Sequence, residues 1–139
     1  MSWAITLTDE QIHVVKDALE EYFRIRLGQF REITDSIAFS DCDTNDKIKW
    51  KECFARREAA LVLMESAFRL MRPEISLKKT ENMLIAEDIW GAVKHALWLN
   101  LPQERREQTR WCVDADAPLN LSGQPLPKIK QEVIRSAAD

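Results

Sequence analysis

Two arginines, Arg26 and Arg57, stand where the helical pattern of this sequence predicts apolar side chains. The stripe around Arg26 is formed by Val15, Leu19, Tyr22, Phe30 and Ile33. Arg57 falls among Trp50, Cys53, Met64 and Phe68. An unpaired buried charge costs several kcal/mol or more. Each arginine must therefore extend its head to solvent, pair with a carboxylate, or face a cavity that takes an anion.

The third alternative is a ligand-binding hypothesis. An arginine fork matches the oxygens of a phosphate or carboxylate, and the neighbouring rings of Tyr22 and Phe30 can stack on a base. Gln29, at the edge of the stripe, can hydrogen-bond to the same ligand. Gly28 is unfavourable inside a helix. Either another helix packs closely against it, or a ligand or partner chain approaches the backbone there.

A later helical segment carries a second face, opposite Ile89 and Val93. It consists of Asp88, Gly91, His95 and Trp98. A solvated face with one exposed tryptophan explains this pattern, and so does a subunit interface or a pocket wall. If this face is a pocket wall, His95 and Trp98 join the predicted ligand-binding residues. The full set is then Arg26, Gln29, Arg57, Gly28, Tyr22, Phe30, His95 and Trp98.

Residues suited to catalysis or metal binding are sparse. The only histidines are His13 and His95, and neither Cys-x-x-Cys nor His-x-x-x-His occurs, so we expect no metal site. Gly-x-Ser-x-Gly, the P-loop and Gly-x-Gly-x-x-Gly are also absent. A nucleophile needs a base within hydrogen-bond reach, and no spacing pairs His95 with one of the cysteines. The sequence therefore favours a non-enzymatic protein without a cofactor.

The elements that must position these residues are predicted to be helices. Apolar residues recur at helical spacing over Asp9 to Ser36, Thr44 to Met71 and Glu81 to Asn100. Ser2 to Leu7 is expected to be extended, and Pro73 to end the second helix. The predicted fold is mainly α: a bundle of three principal helices, two of them long, in a single domain over residues 1–139.

The C-terminal part of the chain is less regular. Gln103 to Arg110 fits a helical turn or a solvated loop. Leu119 to Leu126 has strand-like flanks around Ser122-Gly123, which predicts a turn or a hairpin-like tail. Lys128 to Ala138 is compatible with a short terminal helix.

Charge and length exclude several classes of protein. The 139 residues carry a formal net charge of -3, which gives no reason to expect binding to nucleic acid or to an anionic membrane. No run approaches the ~20 apolar residues of a membrane span. The three cysteines are odd in number and far apart, which argues against a disulfide framework. We therefore expect a cytoplasmic protein.

The pattern Tyr22-x-Arg24-x-x-x-Gly28-Gln29-Phe30 resembles a group of small, largely uncharacterised phage and prophage-borne proteins. Further parts of the resemblance are Ala86-Glu87-Asp88-Ile89, then His95 and Trp98, and the stretch Leu119 to Pro127. Glu87 departs from that group, which has an aromatic residue after the alanine. The resemblance implies a phage accessory protein in the host cytoplasm. Such a protein counters host defence by binding a defence protein or by sequestering a nucleotide signal.

The residues and the resemblance together lead to one expected function and one alternative. The expected function is a non-catalytic helical homo-oligomer that binds and sequesters a small anionic, nucleotide-like ligand. The alternative is a protein–protein inhibitor or adaptor that binds a host defence protein. It would use an apolar helical face formed by Trp90, Trp98 and Leu99.

Overall fold

The computed structural model describes residues 2–72 and 78–131, and in these ranges it is helical with no strand. The elements are α1 (Asp9–Arg26), α2 (Arg31–Ala38), α3 (Lys47–Met71), α4 (Glu81–Leu99), α5 (Gln103–Gln108) and a 3₁₀ helix (Val113–Ala115). The predicted mainly α fold is confirmed, and a helical bundle is consistent with the contacts between the helices. Residues 2–7 carry no regular structure.

The chain divides into two compact units. The terminal unit combines Met1–Glu20 with Glu81–Asp139, and the central unit is Glu21–Thr80. Helix α1 contributes its first turns to the terminal unit and its last turns to the central unit. The single domain over residues 1–139 stays a prediction.

The predicted first helix is in fact two helices that meet at Gly28. Gly28 has φ of +75°, a left-handed conformation that only glycine adopts without strain. Its N–H donates to the carbonyl of Ile25 at 3.0 Å, and the N–H of Gln29 donates to the carbonyl of Arg24 at 2.9 Å. These two bonds form the Schellman motif that ends many helices. The prediction of one helix over Asp9 to Ser36, with Gly28 in its interior, was therefore wrong.

The central unit is held together by α2 and α3, which pack along each other. At one end the Phe30 ring meets Phe68 edge-on, with centroids 5.5 Å apart. At the other end Phe39 lies 6.3 Å from Trp50, which stacks on Phe54 at 5.5 Å. Such aromatic pairs add to the free energy of burial. The short α2 is thus fixed to α3 at both of its ends.

Helix α3 begins three residues later than predicted because Asp46 is its N-cap. The Asp46 carboxylate accepts hydrogen bonds from the N–H groups of Ile48 at 3.0 Å and Lys49 at 3.1 Å, which satisfies two of the free donors of the first turn. The helix ends at Met71, as predicted. Pro73, the expected cause of that end, lies outside the described residues.

The terminal unit is organised around Asp88 of α4. Its buried carboxylate accepts three hydrogen bonds: from the N–H of Leu121 at 2.8 Å, and from the N–H and hydroxyl of Ser122 at 2.9 and 2.6 Å. Burial alone would raise the pKa of Asp88, but the bonds from Ser122 and Leu121 outweigh it and hold the pKa below its ordinary value. Asp88 therefore fixes the C-terminal segment to α4 as a carboxylate.

The rest of the same face of α4 also carries the C-terminal segment. Gly91 leaves room for Pro118, whose Cβ would lie 3.7 Å from an added side chain. His95 Nδ1 is 3.4 Å from the carbonyl oxygen of Asp114, and Trp98 Nε1 donates to the hydroxyl of Thr109 at 3.0 Å. This face is neither simply solvated nor shown to be a subunit interface, because the chain's own residues 109–122 pack on it.

The C-terminal segment itself has little regular structure. Residues 103–108 form α5, so the first alternative for that stretch, a helical turn, is the observed one. Gly123, with φ of +75°, makes a turn after Ser122, but residues 119–126 contain no strand and the hairpin is absent. Of the predicted terminal helix, residues 128–131 are not helical and residues 132–138 lie outside the described residues.

The two positive-φ glycines form a matched pair for a stability test. Gly28→Ala and Gly123→Ala both force an alanine into the left-handed region, which costs about 1 kcal/mol or more. At Gly28 the new Cβ would also lie 2.7 Å from the Phe68 ring, whereas at Gly123 nothing lies within 4 Å. We expect the urea-unfolding midpoint to fall clearly further for Gly28→Ala. Equal losses would contradict the close packing of Phe68 on the turn.

The Asp88 clamp predicts a dependence of stability on pH. Because the folded pKa is lowered, the clamp contributes fully above the unfolded pKa of about 3.9. Its contribution is lost as the pH falls through the lower folded value. Asp88→Asn should weaken the tail at neutral pH by about 1–3 kcal/mol. Hydrogen-exchange protection factors of the Leu121 and Ser122 amides, in which the intrinsic pH dependence of exchange is divided out, should then be lower in the variant, and should change less between about pH 6 and pH 3 than in the wild type.

Candidate functional site

The candidate site is a groove of about 380 Å³ in the central unit, beside the Gly28 turn. It is formed by the end of α1, the turn, the start of α2 and one residue of α3. The lining residues are Arg24, Gly28, Gln29, Phe30, Arg31, Glu32 and Glu65. A groove of this volume is at the lower end of the range for small-ligand sites, roughly 300–1,000 Å³.

The backbone of the turn brings the polar groups of the groove together. The left-handed Gly28 reverses the chain, so that Gln29 lies back against the last turn of α1, where Arg24 Nη1 donates to Gln29 Oε1 at 3.4 Å. Helix α2 then starts after Phe30, whose side chain makes no capping hydrogen bond. The N–H groups of the first turn of a helix carry partial positive charge and face outward. The residues Phe30, Arg31 and Glu32 of this helix start line the groove.

The charges of the groove are mixed rather than uniformly positive. Arg24 and Arg31 supply two guanidinium groups, and Glu32 and Glu65 supply two carboxylates. A guanidinium donates only, and a carboxylate accepts only. The arrangement therefore suits a ligand that has anionic oxygens at one part and hydroxyl or amino donors at another.

Three of the predicted ligand-binding residues, Gly28, Gln29 and Phe30, line this groove. Gly28 contributes its backbone to the lining, and a side chain at this position would meet Phe68. Gln29 is exposed and available to a ligand. The Phe30 ring is 6% exposed and packs on Phe68, so it forms the floor of the groove and presents no free face for stacking.

Arg26 and Tyr22 lie apart from the residues that line the groove. The Arg26 side chain is exposed, with its guanidinium 4.7 Å from the centre of the Tyr22 ring. Its backbone carbonyl accepts a hydrogen bond from Arg72 Nη1 at 3.4 Å. Of the three alternatives for Arg26, extension to solvent is the one observed, and one face of Tyr22 is already covered by this arginine.

Arg57 is buried, as its position on α3 indicated, and it is paired. Its Nε lies 3.3 Å from Asp35 Oδ1 and its Nη1 lies 3.0 Å from Glu58 Oε1, while its guanidinium stands over the Phe54 ring at 4.6 Å. These atoms are at ion-pair distance without the alignment of a hydrogen bond. The contact is therefore mainly Coulombic, and the carboxylate-paired alternative is the observed one.

His95 and Trp98 belong to the terminal unit, where their rings stack with centroids 5.9 Å apart. Both side chains are half-buried and contact the C-terminal segment through Asp114 and Thr109. The structure therefore divides the predicted residues between the two units. The ligand-binding roles of His95 and Trp98 stay predictions.

Sequence reasoning missed four of the groove residues: Arg24, Arg31, Glu32 and Glu65. A glycine preceded by an amphipathic helix and followed by another polar first turn is a helix-end signal. If Gly28 is taken as the end of a helix, the Arg24 carbonyl accepts the hydrogen bond from the Gln29 N–H. Arg31 is then the first residue of a new helix. The signal was present, but the uninterrupted helical spacing took precedence over it.

Within the ranges 2–72 and 78–131, no three His, Cys, Asp or Glu side chains converge as metal ligands. Burial, followed by a hydrogen bond with Cys53, raises the pKa of the Cys42 thiol. A thiol with a raised pKa is a poor nucleophile at neutral pH. Cys42 is therefore unsuited to nucleophilic catalysis.

No protein-family model, curated protein or solved structure matches this chain. The resemblance to phage and prophage-borne proteins, with the role in host defence that it implies, therefore stays a prediction. In the part of the chain that the structure describes, every helix is too short or too polar to cross a bilayer. The function must be argued from the groove itself.

The Arg57 ion pair can be tested by comparing variants of its two partners. Asp35→Asn leaves a buried guanidinium with a single carboxylate, and because Asp35 is partly exposed we expect a loss of about 1–2 kcal/mol in urea unfolding. Arg57→Met removes the charge and keeps the volume, so it should cost less. In a chain that already carries Arg57→Met, Asp35→Asn should then leave the free energy of unfolding almost unchanged. Additive losses would contradict the pairing, and Asp41→Asn, at an exposed loop position, is the control.

Proposed function

We propose that this protein is a non-catalytic binding protein whose groove beside Gly28 takes a small anionic, nucleotide-like ligand. One observation carries the proposal: Arg24, Gln29 and Arg31 line one groove together with the uncapped start of α2. Guanidinium groups and helix N-termini are the groups that proteins use to hold phosphate oxygens.

The carboxylates of the groove narrow the ligand class. Glu32 and Glu65 would repel a bare polyanion such as inorganic polyphosphate. They would accept hydrogen bonds from ribose hydroxyls or from an exocyclic amine. A nucleotide or a cyclic nucleotide combines these donors with one or two phosphates. In the proposed complex, Arg24 and Arg31 contact the phosphate and the glutamates contact the sugar or base.

Sequestration rather than turnover is the proposed use of the bound ligand. The groove lining contains no histidine, cysteine or serine, so it lacks the Ser–His or Cys–His pair of many nucleophilic enzymes, and this proposal gives the Glu32 and Glu65 carboxylates a ligand-binding role. The resemblance to phage accessory proteins supports a role in removing a host nucleotide signal from the cytoplasm. The homo-oligomer expected from the sequence is part of this proposal.

The alternative function, a protein inhibitor acting through Trp90, Trp98 and Leu99, has less support. Trp90 is half-buried with the Lys94 ammonium 4.7 Å from its ring centre. Trp98 is bonded to Thr109 of the same chain. Of the three predicted contact residues only Leu99 is exposed, so no continuous apolar face is formed there.

The proposal predicts which arginine of α1 matters. Arg24 and Arg26 are both in the last turn of α1, so replacing either removes the same favourable charge from the helix C-terminus. Only Arg24 lines the groove. In calorimetric titrations with cyclic nucleotides and ADP-ribose derivatives, we expect Arg24→Gln to weaken binding by about 10- to 100-fold, the range for a hydrogen bond to a charged group. Arg26→Gln should bind like the wild type.

Two results would count against this function. Absence of heat and of any thermal shift with the whole ligand panel would remove the proposal. Binding that Arg26→Gln weakens as much as Arg24→Gln would show that the ligand occupies a different site. Gln29→Ala serves as a second groove variant, since Gln29 is exposed and its replacement leaves the core intact.

A further inference from the structure

Helix α3 has two faces, and one of them is unexplained by the fold. The residues Cys53, Arg57 and Leu61 are buried against the central unit. At 3.6 residues per turn, a second stripe lies on the opposite side of the helix. This outer face consists of Ile48, Glu52, Ala55, Ala59, Val62, Leu63, Ser66 and Leu70, and all eight are exposed.

The outer face is apolar to a degree that is unusual for a surface helix. Ile48 is 71% exposed, Val62 60%, Leu63 71% and Leu70 85%. Between them stand the small residues Ala55 and Ala59, and most of the stripe advances in alternating steps of three and four. This spacing is the one by which helices pack side by side. A contiguous apolar surface of this kind marks a contact with another protein chain.

Apart from Val62, whose counterpart three residues before Ala59 is Arg56, the residues of the outer face are placed symmetrically about Ala59. Ile48 and Leu70 lie eleven residues on either side of it, and the two polar members, Glu52 and Ser66, lie seven residues on either side. Ala55 and Leu63 lie four residues on either side, so a small side chain is matched with a large one. A two-fold interface requires this property, because residue i of one copy contacts residue j of the other and the reverse.

We propose that a second copy of this chain docks on the outer face, with the two α3 helices antiparallel and a two-fold axis at Ala59. The small Ala59 lets the helices approach closely at the axis. Each Ala55 receives Leu63 of the partner subunit, and each Ile48 packs against Leu70 of the partner subunit. A parallel pair would instead place each large residue opposite its own copy and leave the alanines facing one another.

Charges beside the stripe agree with the antiparallel arrangement. Lys51 and Glu65 lie on the same flank of α3, each seven residues from Glu58. In the antiparallel pair with its axis at Ala59, each Lys51 therefore lies about 3 Å along the helix from the level of Glu65 of the partner subunit, and in each protomer Glu65 also borders the groove. Glu58 approaches its own copy near the axis, but its charge is already compensated by Arg57 Nη1 at 3.0 Å. In a parallel pair each Lys51 would instead lie at the level of Lys51 of the partner subunit, which carries the same charge.

The size of the outer face is sufficient for a stable dimer. From Ile48 to Leu70 the helix is about 33 Å long. Covering a face of that length with a second helix buries on the order of 700 Å² per protomer, close to the roughly 800 Å² that each partner contributes to a typical interface. This dimer specifies the contact of the homo-oligomer included in the proposed function. The dimer contact does not depend on ligand binding. An experiment can therefore contradict the dimer and leave the ligand-binding function standing, or the reverse.

The test compares two alanines of α3 that are both exposed. Ala59 lies at the centre of the outer face, whereas Ala67 lies about a quarter turn away from it. Ala59→Glu and Ala67→Glu change helix propensity and net charge equally. Sedimentation equilibrium of the wild type should give twice the 16.2 kDa mass of one chain. We expect Ala59→Glu to raise the dissociation constant at least about 100-fold, because two carboxylates would be buried at the axis, and Ala67→Glu to remain dimeric.

A gain-of-contact variant provides a second measurement. Ala59→Cys should be cross-linked to its own copy by mild oxidation, since a two-fold axis brings the two positions together. Ala67→Cys and the wild type should give no such cross-linked band. The proposal is overturned by a wild-type chain that is monomeric at all concentrations, by an oligomer that Ala59→Glu leaves intact, or by equal cross-linking at both positions.

Discussion

The left-handed backbone of Gly28 is the constraint on which the central unit depends. A residue with a side chain would be strained at this φ and would collide with Phe68. Because the turn satisfies the carbonyls of Arg24 and Ile25, α1 can end there without unpaired acceptors. The chain then starts α2 within three residues. This sends Phe30 into the core and keeps Arg24 and Arg31 at the surface of the groove.

Buried charges fix chain segments in this protein, and each is compensated in a different way. The Asp88 carboxylate accepts hydrogen bonds from three donors of the tail. Lys94, also buried, donates to the carbonyl of Val113 and lies against the Trp90 ring. Since an uncompensated charge would cost more than the contact gains, these side chains tie residues 113–122 to α4. The segment has little regular structure. These side-chain contacts therefore hold it in place, and not the backbone hydrogen bonds of a helix or a sheet.

Helical spacing predicted α3 and α4 well because both helices run without interruption. It predicted Arg57 to be on the apolar face, and Arg57 is buried. It failed for Arg26 because the projection carried one helical phase through Gly28. Ile33, which the projection placed beside Arg26, belongs to α2, and Phe30 is the residue before α2 begins. Ile37 of the same assumed stripe is 70% exposed. The groove was only partly predictable for this reason, since four of its five polar residues come after the break at Gly28.

The face of α4 around Asp88 was unpredictable for a different reason. The segment that covers it comes some thirty residues later in the chain and lacks a periodic pattern. Periodicity reports which side of a helix is apolar, but it does not report that a polar side is covered by backbone donors. Ser122-Gly123 was recognised as a turn. Its partner could be found only from the three hydrogen bonds to the Asp88 carboxylate.

The pairing of Arg57 also explains how α3 chooses which side faces inward. Both sides of this helix are apolar enough to be buried, so hydrophobicity alone leaves the rotation of α3 about its axis weakly determined. Only one rotation brings the Arg57 guanidinium to Asp35 of α2, and the opposite one would bury Glu52 in its place. A buried ion pair adds little net stability but disfavours the wrong arrangement strongly. Arg57 thus directs one face to the core and leaves the stripe around Ala59 open to the second copy proposed above.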